Sequence, residues 1–102
     1  MTRFCASEKL APGAVHSRVV DGRPVAVARF TDGSLCAFSA LCPHQQADLG
    51  FGILEDGGIT CRDHLWHFEL PSGRCTSIPG ARLANYPVHE ADGLVHVVLP
   101  DA

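Results

Sequence analysis

Two short segments of this 102-residue chain carry side chains that bind soft metals. The first is Cys42-Pro43-His44 and the second is Cys61-Arg62-Asp63-His64, with sixteen residues between His44 and Cys61. Each half offers one thiolate and one imidazole on a tight turn. Pro43, with a fixed φ and no N–H, stiffens the first turn. Cys42, His44, Cys61 and His64 are therefore the candidate ligands. Two chemistries suit them. Four such groups can close a tetrahedral zinc site, or two thiolates can serve one iron of a [2Fe–2S] pair while two imidazoles serve the other. Finger-type zinc sites take their ligands as Cys-x₂₋₄-Cys and His-x₃₋₅-His pairs, whereas each half here mixes the two types. In the iron case, neutral imidazoles replace two thiolates, which removes negative charge and raises the reduction potential above that of an all-cysteine cluster.

The rest of the chain must position these turns. Asp21-Gly22, Asp32-Gly33, Asp56-Gly57-Gly58, Ser72-Gly73 and Asp92-Gly93 supply residues that tolerate positive φ. Between them Val15–Val20, Val25–Phe30, Leu35–Phe38 and Leu94–Leu99 read as strands. The runs Val25–Phe30 and Val95–Leu99 are too apolar for a wetted sheet and should supply the core. Seven prolines and ten glycines leave no room for a long helix, and Glu8-Lys9-Leu10 is good for one helical turn. Short strands at regular spacing predict an all-β, antiparallel, sandwich-like or barrel-like base. Residues 41 to about 80 break this regularity and read as a loop-rich subdomain inserted between strands of the base. The length fits a single domain spanning 1–102.

Composition narrows the function. Apolar residues make up 46% of the chain and charged residues 19%, which is globular rather than disordered. The formal net charge of −3 gives no support to nucleic-acid binding. No segment approaches the roughly 18 apolar residues of a membrane-spanning helix, and the N-terminal residues do not resemble a signal peptide. The expected compartment is the cytoplasm, where metal ligation is a better default for clustered cysteines than a disulfide framework.

The other reactive side chains have plainer readings. Cys36, between Leu35 and Ala37, is a small buried hydrophobe, and Cys5 and Cys75 are ordinary thiols with no histidine at ligand spacing. His16, His89 and His96 are surface or core residues. His67 points either into solvent or toward the metal face. Trp66 is foremost a core residue. Gln45, Gln46 and Leu65 follow the ligands and form a tip suited to meeting other proteins. Asp48, Glu55, Asp56, Asp63 and Glu69 make a solvated acidic face. The chain has no phosphate loop, nucleophile elbow or His-Glu-x-x-His helix, so it is read as a non-enzyme.

The paired pattern Cys42-x-His44 and Cys61-x-x-His64 resembles the Rieske motif. Cys42-Pro43-His44-Gln45, then Gly58-Ile59-Thr60-Cys61-Arg62-x-His64-Leu65-Trp66-x-Phe68, then Tyr86-Pro87-Val88 is similar to Rieske ferredoxins of toluene-monooxygenase-type diiron systems. Those of ring-hydroxylating dioxygenases come next. The likeness runs from about Leu41 to Val98. It implies a Rieske fold with a two-loop cluster-binding subdomain and one [2Fe–2S] cluster. Cys42 and Cys61 would bind one iron, and His44 and His64 the outer one. It further implies single-electron transfer from a flavin-containing, NADH-linked reductase to an oxygenase hydroxylase component. The alternatives are a Rieske small subunit of a larger reductase, such as assimilatory nitrite reductase, and a zinc-stabilised binding module.

The high-potential branch of the family has a further cysteine in each loop, joined as a disulfide; the matching positions here are Ala47 and Asp63. It also places serine and tyrosine hydroxyls where this chain has Trp66 and Phe68. With fewer donors to sulfur, its negative charge is less stabilised. The expected midpoint potential lies in the lower part of the Rieske range of about −150 to +300 mV. Voltammetry should place it there, and a midpoint well above zero refutes the argument.

Overall fold

A computed structural model describes residues 2–41, 49–55, 57–61, 66–70, 72–76 and 80–99. Ten strands follow in order: β1 Thr2–Ala6, β2 Val15–Val20, β3 Arg23–Arg29, β4 Leu35–Ser39, β5 Ile53–Glu55, β6 Gly58–Thr60, β7 His67–Glu69, β8 Asn85–Tyr86, β9 Val88–Ala91 and β10 Leu94–Val97. They form three antiparallel sheets with strand orders β1-β10-β9, β2-β3-β4-β8 and β5-β6-β7. Single 3₁₀ turns occupy Ser7–Lys9 and Leu49–Phe51.

The second sheet is the middle layer. Along β3, Val25, Ala26, Val27 and Ala28 are all fully buried. Successive side chains point to opposite faces, so this strand is covered on both. Val25 and Val27, with Ala37 of β4, pack on Phe4, Val95 and Val97 of the first sheet. Ala26 and Ala28, with Cys36 and Phe38, pack on Ile59 and Phe68 of the third sheet, together with Leu49 and Leu83. A strand buried on both faces reads as a continuous apolar run rather than an alternating one. That is the reason Val25–Phe30 stands out in the sequence.

Turn chemistry fixes the register. Asp21 and Gly22 have φ of 50° and 79°, and Asp92 and Gly93 have 54° and 76°. Two positive φ values in a two-residue loop match the twist of the flanking strands, so Val20 pairs with Arg23 and Ala91 with Leu94. The first hairpin therefore brings Arg23 and Pro24 into β3, two residues earlier than apolar content alone suggests. At the other end, β10 stops at Val97 rather than Leu99: the Val98 N–H still reaches the Pro87 carbonyl at 2.9 Å in register with the β9 ladder, but Pro87 has no N–H with which to continue the pairing. The register of β1 slips between Arg3 and Cys5. Phe4 sits at that bulge and is 1% exposed, its ring in the core between the first and second sheets.

Arg29 fastens layers to each other. Its Nε donates to the Leu10 carbonyl at 2.7 Å, one terminal nitrogen donates to the Gly33 carbonyl at 3.0 Å, and the other meets Glu90 of β9 at 2.5 Å. The hydrogen bond from Arg29 holds the Glu90 carboxyl below its ordinary value of 4.5. A group with a depressed folded-state pKa stabilises fully above its unfolded value and loses that contribution as pH falls through the folded value. Glu90→Gln should therefore unfold earlier than the wild type at neutral pH. The gap between their denaturant midpoints should close as pH drops below the carboxylate range; a pH-independent gap would show that the contact is not ionic. In the core, Phe38→Ala should lower the unfolding free energy by about 3–5 kcal/mol in equilibrium denaturation, as expected for a buried ring.

Candidate metal centre

The third sheet and its neighbours hold the roots of both candidate ligand loops. The first loop leaves β4 through Ser39 and Ala40. The Ala40 N–H donates to the Pro24 carbonyl at 3.0 Å, and the Ala40 carbonyl accepts the Leu49 N–H at 2.6 Å. One backbone bond thus pins together Ala40 and Leu49, on either side of the first candidate ligand segment. The second loop leaves β6 at Cys61, whose N–H donates to the Trp66 carbonyl at 2.8 Å. That bond continues the β6–β7 ladder by one step and pins Cys61 to Trp66.

The two bases meet in one apolar cluster. Ala40 and Leu49 from the first root pack with Ile59, Cys61 and Phe68 from the second, and Trp66 lies half-buried against them. Cys61 is 1% exposed. Among the four candidate ligands it alone falls within the described residues; Cys42, His44 and His64 lie outside them, as do Pro43, Gln45, Gln46, Ala47, Asp63 and Leu65. The donor chemistry at this position fits a metal. A thiolate buried among apolar groups is costly on its own, and a bound cation compensates that charge while the apolar shell keeps water from it.

Cys5, Cys36 and Cys75 all fall within the described residues. Cys36 is buried in β4, and burial pushes its thiol up to about 11, which leaves it unreactive. Burial also raises Cys5. Cys75 is buried in the same cluster as Cys61, lies opposite Phe68 and donates its N–H to the Ala81 carbonyl at 3.0 Å. Trp66, half-buried, packs against this core from its margin rather than within it, because its ring covers the cluster edge beside Cys61.

His67 points neither into open solvent nor along a bare surface. Its Nδ1 lies 2.9 Å from the Thr60 hydroxyl oxygen, and that hydroxyl donates to a Glu55 carboxylate oxygen at 3.0 Å. Thr60, at 6% exposure, is the one buried polar residue among those described. It gave no signal beyond its place before Cys61, since a cross-strand partner is visible only once the register is known. Gly58 also goes beyond a turn role. A Cβ there would overlap the Phe68 carbonyl and come within 2.8 Å of His67 Nε2, so the imidazole lies where a side chain would otherwise be.

Comparison with known proteins agrees with this architecture. A ferredoxin of carbazole 1,9a-dioxygenase from Nocardioides aromaticivorans IC177 superposes with a TM-score of 0.84 at 30% identity, over 94% of each chain. A putative NADH-dependent nitrite reductase small subunit from Mycobacterium tuberculosis superposes with a TM-score of 0.90 at 27% identity, over 99% of this chain and 96% of that one. Cholesterol 7-desaturase from Xenopus laevis is 34% identical over 103 aligned positions, covering 93% of this chain. The chain spans about a quarter of the length of the first curated relatives it matches. The family model described as the Rieske [2Fe-2S] domain matches residues 1–87. The chain thus belongs to the Rieske [2Fe–2S] domain family, whose members bind one such cluster.

Proposed function

We propose that this chain is a Rieske ferredoxin that carries single electrons from a flavin-containing, NADH-linked reductase to an oxygenase component, without transforming a substrate itself. The observation that carries this reading is the convergence of both loop roots on one buried core that contains Cys61. In this reading 1–102 is one domain with its cluster-binding part at about 41–80. Cys42 and Cys61 hold the inner iron, and His44 and His64 the outer one. The cluster, once bound, supplies a one-electron couple.

The chain's own residues do the rest. Leu49, Ile59 and Phe68 keep water from the Cys61 sulfur, and backbone bonds at Ala40–Leu49 and Cys61–Trp66 fix the bases of the loops. Binding loops on a rigid scaffold are well placed to meet partners, and Gln45, Gln46 and Leu65 belong to those loops by sequence. The contacts are small and transient, as redox encounters are. Likeness to the carbazole-dioxygenase ferredoxin supports a ring-hydroxylating acceptor, while the flanking residue pattern supports a diiron monooxygenase. No helix among the described residues is long and apolar enough to cross a membrane, and a cytoplasmic setting belongs to this proposal.

A second reading has its own support. The nitrite reductase small subunit covers 99% of this chain, so a fixed reductase subunit is the alternative. A permanent subunit buries a large apolar face and co-purifies in constant ratio.

Metal analysis of anaerobically purified protein should find iron and sulfide, with a visible spectrum that bleaches on reduction; zinc in their place overturns the proposal. Reconstitution with candidate reductases and with diiron or ring-hydroxylating oxygenases should give turnover that depends on this chain. Cys61→Ser and His64→Ala should abolish it, and full activity in either variant removes that ligand assignment.

A further inference from the structure

Residues outside the four candidate ligands bracket the second loop. Thr60 immediately precedes Cys61, His67 immediately follows Trp66, and the two are directly opposed partners on β6 and β7. Their side chains meet across the strands at 2.9 Å. The direction of this bond follows from proton counting. A hydroxyl has one hydrogen, and that of Thr60 goes to the Glu55 carboxylate, which only accepts when ionised. The imidazole must therefore supply the hydrogen, and Nδ1 of His67 carries it. The chain of bonds runs one way, from His67 Nδ1–H to the Thr60 oxygen and from the Thr60 hydroxyl to Glu55.

The far side of the ring is held as well. Gly58 leaves open the space that His67 Nε2 and Cε1 lie against. The His67 carbonyl accepts the Thr76 N–H at 2.9 Å and the Thr76 hydroxyl at 3.3 Å. The opposite face of this hairpin is locked in the core through Ile59 and Phe68, both fully buried. A side chain fixed on its ring, its backbone and its strand neighbours is rigid beyond the needs of a three-residue strand. It stands at the point where the six residues from Cys61 to Trp66 depart.

We propose that Thr60 and His67, anchored by Glu55, are positioning residues that clamp the base of the loop bearing Cys61 and His64. The inference rests on the ligand reading above and deepens it: the directed bonds set the separation of the two strands that flank the segment bearing both ligands in sequence. Outer partners of metal ligands fix ligand orientation in this manner.

The test compares iron-loaded wild type with paired variants. Thr60→Val and His67→Phe keep shape and remove the hydroxyl or the N–H. Thr60→Ser and His67→Asn keep a hydroxyl or an N–H donor. Two quantities are read: the rate at which a ferrous chelator strips iron, and the electron paramagnetic resonance spectrum after reduction. Loss of one buried hydrogen bond should speed stripping about fivefold in the Val and Phe variants and broaden their resonance lines. The Ser and Asn variants should stay within about twofold of wild type on the same scale, with unchanged spectra. Wild-type behaviour of Thr60→Val and His67→Phe, or equal damage in all four variants, overturns the clamp. If the Val and Phe variants do not fold, Glu55→Ala at its exposed position carries the test: faster stripping supports the clamp and an unchanged rate overturns it. Wild-type protein without iron and sulfide overturns the ligand reading instead, an outcome distinct from any of these.

Discussion

Everything in this molecule is organised around a strand pair with no wet face. β3 and β4 bury Val25, Val27 and Ala37 against one neighbouring sheet and Ala26, Ala28, Cys36 and Phe38 against the other. Burial of apolar area is the dominant favourable term in folding, and here one sheet receives it twice. Small side chains on the second face allow the close approach of the layer that bears the candidate centre. Ala26, Ala28 and Ala40 leave room for Phe68 and Ile59, so large groups from the third sheet fill what small ones on the second leave open. The middle sheet is thus the reference against which both loop roots are placed.

The geometry of the candidate centre follows from that placement. One root is the continuation of β4, a strand of the middle layer; the other ends β6, a strand of the outer layer. The ligand halves are far apart in sequence, yet their bases share Leu49, Ile59 and Phe68 as neighbours. Short backbone bonds, Leu49 to Ala40 and Cys61 to Trp66, fix the described residues on either side of each candidate ligand segment. A fixed base lowers the entropy that metal binding must overcome. The polar bonds among Glu55, Thr60 and His67 lie on the side of the β5-β6-β7 sheet opposite Leu54, Ile59 and Phe68, which gives that small sheet two distinct faces.

Much of the base was legible from residues. β2 is found at Val15–Val20 as its β-branched content and the Asp21-Gly22 turn indicate, and β4 extends one residue past Phe38. The helical turn near Glu8 is present as a 3₁₀ turn beginning at Ser7. Other elements left no such trace. β5, β6 and β7 are three residues each and include Gly58, His67 and Glu69, so intrinsic propensity says little; their stability comes from Leu54, Ile59 and Phe68 meeting the middle sheet. β9 holds His89, Glu90 and Ala91, all exposed, and exists because β10 pairs with it across the Asp92-Gly93 turn. At the candidate centre, spacing named Cys42, His44, Cys61 and His64, and the structure places Cys61 in the core at a loop root. The partnership of Thr60 with His67 needed the register, which depends on contacts distant in sequence.

The margins of the sheets carry a further consequence. An open sheet offers unpaired N–H and C=O groups to any passing chain. Here each of three margins is blunted differently: β1 is bent by the irregularity at Phe4, β8 is only two residues long, and β9 carries a carboxylate tied inward to Arg29. These three margins therefore give a second copy of the chain no long, flat template on which to add a strand, and the six-residue β2 is left as the long edge of the middle sheet. Blunting these margins narrows the routes by which the stacked sheets could recruit a strand from another molecule.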